Sequence, residues 1–144
     1  MNGITLILHA PDALEEAEEL CFELQMIGFE AVTLEKITKH STKAEIHKAC
    51  PELLLLMSAV IILASPDLFY YPVLVEMALS SSIEKKSVPV VFGFEETPLP
   101  DWFRNPIRLI SGVNDDPRQW NILIGSLQRR TGNHFLYSSF STPS

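Results

Sequence analysis

From Leu53 to Ala64 the chain runs Leu-Leu-Leu-Leu-Met-Ser-Ala-Val-Ile-Ile-Leu-Ala, with Ser58 as its single polar side chain. A half-buried strand alternates apolar and polar residues. A run like this one belongs to a segment covered on both faces. It is well short of the ~20 residues that span a bilayer, so it is the centre of a soluble core and no membrane insertion is expected. The run divides at Ser58 into the end of a helix and a β-rich central strand, Ala59–Ala64. Ser65-Pro66-Asp67 stops that strand, and Pro72 suits the first turn of a following helix that runs to about Ser82.

The rest of the chain repeats this alternation. Ile4–Leu8 is a short apolar strand. Asp12 and Glu15 have the spacing of a helix cap, with Leu14, Ala17, Cys21, Leu24 and Met26-Ile27 forming the inner stripe. Gly28 ends that helix, and Phe29–Leu34 alternates as a second strand. Glu35–Ser41 reads as a polar loop. Thr42 and Glu45 open another helix, which Pro51 is expected to interrupt. Val88–Phe92 and Ile107–Ile110 supply two more strands, separated by a loop from Glu95 to Pro106. Asp116-Pro117 starts a last helix that turns Trp120, Leu123, Ile124 and Leu127 inward and stops at Gly132. Strands and helices in strict alternation predict a flavodoxin-like α/β three-layer sandwich, a central parallel five-stranded sheet with helices on both faces. One domain is expected over residues 1–132, followed by a polar, flexible tail over 133–144; the chain reads as the front end of a longer protein.

Charge and motifs narrow the function. The net charge of −7 and scattered basic residues argue against a nucleic-acid partner. The turn after the first strand holds no glycine, and neither GxGxxG nor GxxxxGK occurs, which disfavours a dinucleotide fingerprint or a P-loop. The four histidines, His9, His40, His47 and His134, have no ligand spacing, so no metal is expected. Cys21 and Cys50 read as reduced core thiols, and nothing marks the chain for secretion, so the cytoplasm is the expected compartment.

The remaining candidates gather after the parallel strands, where open α/β sheets bind ligands. His9 and Asp12 follow the first strand, Ser65 and Asp67 follow the central one, and Glu76 lies about one turn into the next helix. Glu76 stands among Val73, Val75 and Met77. If buried, it suits work at a ribose or glycosidic centre. If Val73 and Met77 alone face the core, it is a solvated helix residue. The aromatic run Phe69-Tyr70-Tyr71 reads equally as interface anchors or as core. Trp102-Phe103 reads as core.

These residues, taken together, resemble the Toll/interleukin-1 receptor (TIR) domain. The likeness rests on the end of strand one with Asp12, the glutamate-rich helix ending in Gly28-Phe29, Ala44-Glu45-Ile46, Ser58 through Asp67, and Val88-Pro89-Val90-Val91. It covers about residues 4 to 131. Segments at Asp67–Pro72, Pro100-Asp101-Trp102 and Asp115-Asp116-Pro117 look like the TIR domains of B-cell phosphoinositide-kinase adaptor scaffolds. The resemblance implies a domain that self-associates and recruits other TIR domains in innate-immune or cell-death signalling. The contacts would come from Lys36, Lys39, His40 and Lys43 in one loop and from Phe69, Tyr70 and Tyr71. It also implies an alternative, cleavage of NAD at the nicotinamide–ribose bond with no cofactor required. Glu76 would then be the catalytic carboxylate, and His9, Asp12, Ser65 and Asp67 the rim of the NAD site. Two departures bear on that alternative. Pro72 and Val73 stand where many members carry Trp-Cys, and the Glu35–Ser41 loop lacks the usual glycine.

Overall fold

The computed structural model describes residues 3–39, 42–92, 99–103, 105–109 and 117–132, without the side chains of Lys43, His47, Cys50 and Phe92. Its sheet contains β1 (Ile4–Leu8), β2 (Glu30–Thr33), β3 (Met57–Ala64), β4 (Ser87–Phe92) and β5 (Ile107–Leu109). All pairings are parallel. The order β2-β1-β3-β4-β5 places the chain's change of direction between β1 and β3. The helices are α1 (Leu14–Met26), α2 (Leu34–Thr38), α3 (Lys43–Leu56), α4 (Pro72–Ile83) and α5 (Pro117–Thr131). Among the described residues no helix is long and apolar enough to cross a membrane.

The opening run explains this layering. Along β3, Ala59, Ile61 and Leu63 join one core with Leu20, Leu24, Leu123 and Leu127 of α1 and α5. The alternate residues Val60, Ile62 and Ala64 join a second core with Leu54, Leu74 and Met77 of α3 and α4. With period two along a strand, burying both sets requires a helical layer on each face. The expected three-layer sandwich is the fold observed, and helix α5 turns Trp120, Leu123, Ile124 and Leu127 inward as expected.

Several boundaries depart from the sequence reading. Asp12 does not cap α1; it lies in a 3-10 turn over Pro11–Ala13 and makes no cap bond. Its carboxylate is engaged elsewhere, as described below. Leu20 is fully buried in the α1 stripe, whereas Met26 is 67% exposed. The expected loop at Glu35 begins instead as α2. Thr33 Oγ accepts the Lys36 N–H at 3.2 Å, a cap that strand-like alternation disguised, and Leu34 anchors the turn in the core.

Pro51 does not interrupt α3 either. A proline inside a helix costs about 3 kcal/mol. Here a capping box secures the start, with Thr42 N–H to Glu45 Oε1 at 3.1 Å and Glu45 N–H to Thr42 Oγ at 3.2 Å. At the other end Leu54 and Met57 are buried, and Lys86 Nζ donates to the Leu54 carbonyl at 3.0 Å. Anchoring at both ends offsets the missing bond.

Gly28 ends α1 as expected, with φ of 107°. Phe29 N–H reaches the Leu24 carbonyl at 3.0 Å and Gly28 N–H the Gln25 carbonyl at 3.1 Å, the paired bonds of a Schellman cap. Gly132 likewise follows α5 with φ of 75°. The expected Asp116 cap, residues 40 and 41, and the tail over 133–144 lie outside the described residues.

Candidate functional site

The carboxyl ends of β1, β2 and β3 meet at the switch point, and two arrangements of side chains occur there. The first is a polar tie. Ser65 Oγ donates to Asp12 Oδ1 at 2.7 Å, and the Asp67 N–H donates to Asp12 Oδ2 at 3.2 Å. Asp12 therefore pins the turn after β3 to the turn after β1. The structure brings these three sequence candidates together, with Ser65 buried and both aspartates exposed.

The second arrangement is a cleft of about 310 Å³. His9 and Pro11 line it from the end of β1 and Leu14 from α1. Leu34, Glu35 and Thr38 of α2 form another wall, with Ile46 from α3 and Tyr71 through Leu74 at the start of α4. The walls are mostly hydrocarbon, because five elements converge with their apolar faces turned to the same gap. Its size is at the lower end of the ~300–1,000 Å³ typical of ligand clefts.

Of the four residues expected at the NAD-site rim, His9 is the one lining this cleft, and it is 4% exposed. Its two nitrogens are both used. The Glu35 N–H donates to Nε2 at 3.3 Å, which leaves the proton on Nδ1, 3.0 Å from the Ala10 carbonyl it donates to. Burial lowers the imidazole pKa below its ordinary value, against the opposing pull of the Ala10 carbonyl and of Glu35, Glu18 and Asp12. The ring is thus neutral and structural, and moving a proton through Nε2 means breaking its bond to α2.

This has a measurable consequence for stability. A histidine whose folded pKa is depressed binds protons more readily in the unfolded chain. Its stabilising contribution is complete above the unfolded value of ~6.5 and is lost as pH falls through the folded value. Urea midpoints are expected to decline between pH 7.5 and 5.5, and His9→Gln, which does not titrate, is expected to flatten that decline. An equal slope in both proteins would remove His9 as the cause.

Glu76 lies elsewhere. On α4 the buried positions are Leu74, Met77, Ala78 and Ser81, spaced as one helical face, and Glu76 is exposed. It is not among the residues lining the cleft, which α4 meets only through its first turn. The aromatic trio divides three ways. Phe69 packs edge-on against Trp102 and Phe103, with centroids 6.1 and 5.8 Å away. Tyr71 is half-buried along the cleft, and Tyr70 is 81% exposed. Phe103 is buried and Trp102 half-buried against the α3/α4 core, as expected. Lys36 and Lys39 are exposed; His40 and the Lys43 side chain lie outside the described residues.

Leu14, Leu34, Ile46 and Leu74 went unnoticed in the sequence as cleft walls, since a leucine facing a gap and one facing a core look alike there. Among the described residues no three His, Cys, Asp or Glu side chains come together to hold a metal ion.

No family profile matches the chain, and no curated protein does. Among solved structures it is similar to the TIR domain of the Toll-related receptor TRR-2 from Hydra magnipapillata. The TM-score is 0.64 at 16% identity, over 86% of this chain and 97% of that one. The chain has the TIR-type fold.

Proposed function

We propose that this chain is a TIR-type signalling module that works by associating with itself and with other TIR domains, in innate-immune or cell-death signalling. The observation that carries this reading is where the polar chemistry of the ligand edge goes. His9, Asp12 and Ser65 are engaged in holding the loops, and Glu76 is exposed on α4 and is not among the residues that line the cleft. Tyr70, exposed near that edge, is of the residue type that anchors contacts with another protein, and Lys36 and Lys39 are exposed as well.

The alternative, cleavage of NAD, draws its support from the cleft's position at the switch point and requires Glu76 to reach a ribose. Incubating the pure protein with NAD at high protein concentration separates the two. The expected outcome is no release of nicotinamide. Release that Glu76→Ala abolishes would make the domain an enzyme.

A further inference from the structure

We propose that self-association seats Tyr70 of one copy in the apolar cleft of another, a contact that rests on reading the chain as an interaction module. Tyr70 is the most exposed aromatic side chain among the described residues, and it ends a 3-10 turn over Leu68–Tyr70. The next residues, Tyr71 and Pro72, already form one wall of the cleft. Donor and acceptor thus sit side by side on one edge, so a single two-fold axis exchanges both contacts and makes the interface reciprocal.

Size and chemistry match. A cleft of about 310 Å³ walled by Leu34, Ile46, Pro72 and Leu74 suits an aromatic ring, which loses ~150–250 Å² of exposed surface when buried. A tyrosine also carries a hydroxyl and needs an acceptor. Thr38 is a lining residue whose hydroxyl donates to the Leu34 carbonyl at 2.8 Å, so its lone pairs are the part left to accept a hydrogen bond.

The net charge of −7 opposes the approach of two copies, so a contact between them has to use a locally uncharged surface. Glu35 is the one acidic side chain among the described lining residues, and His9 there is held neutral. A dinucleotide, by contrast, brings a pyrophosphate, and the described lining holds no lysine or arginine to receive it.

The test uses light scattering on the purified chain and two variants. Tyr70→Ala removes the anchor at an exposed position, and Ile46→Trp fills the cleft. Each variant alone is expected to associate at least about 30-fold more weakly than wild type, the loss typical of an aromatic anchor. An equal mixture is expected to recover part of the association, because the mixed pair regains one of the two contacts: the first variant keeps an open cleft and the second keeps Tyr70. That recovery also shows that Ile46→Trp is folded. Variants that associate as well as wild type, or a mixture that stays as weak as its parts, would overturn the contact and leave the interaction module standing. A wild-type chain that never associates would overturn both.

Discussion

Replacing Ile61 with alanine is expected to lower the free energy of unfolding by about 2–5 kcal/mol. The side chain is fully buried at the middle of β3, in the core shared with α1 and α5. β3 pairs with β1 on one side and β4 on the other, so the backbone around Ile61 cannot move in to close the space. Lost transfer energy and a residual cavity therefore add. A domain's whole stability is about 5–15 kcal/mol, so the variant stands near the limit of folding at 37 °C. Urea denaturation measures the loss. Ile83→Ala serves as the comparison: the same residue type, 81% exposed at the end of α4, is expected to change stability by less than about 0.5 kcal/mol. Similar losses at both positions would contradict the two-faced burial of β3.

Replacing Asp12 with alanine is expected to cost about 2–3 kcal/mol, a large figure for an exposed position. The carboxylate accepts two hydrogen bonds from a turn more than fifty residues away, one from the Ser65 hydroxyl and one from the Asp67 N–H. Hydrogen bonds to a charged acceptor contribute about 1.5–3 kcal/mol, and without the carboxylate the buried Ser65 hydroxyl loses its partner. Had Asp12 been a helix cap, its loss would act within α1 alone. The tie makes a different demand: Ser65→Ala should remove part of the same energy, so the double variant should lose less than the sum of the singles. Simple additivity would show that the two side chains do not act together.

What could be read from the sequence follows from where its physical signals are local. The central strand was legible because burial on both faces leaves no polar alternation, and the helices because caps and glycines act within a few residues. The Thr42–Glu45 box and Gly28 are of that kind. α2 was missed because Thr33, its cap, is also a good strand residue. Pro51 misled because the forces that carry α3 past it come from Leu54 in the core and Lys86 after α4. The site was less legible than the fold. Asp12 looked like a cap and is a long-range tie, His9 lines the cleft with both nitrogens bonded, which its sequence context does not show, and the cleft is built from side chains of separate elements. Nothing in spacing along the chain encodes that convergence.

The function proposed for this chain is association with other copies of its kind. The most direct measurement is the weight-average mass of the pure wild-type chain by light scattering across a dilution series. A mass that rises reversibly above one chain as concentration increases is the expected result. A mass that stays at one chain up to the limit of solubility would contradict it.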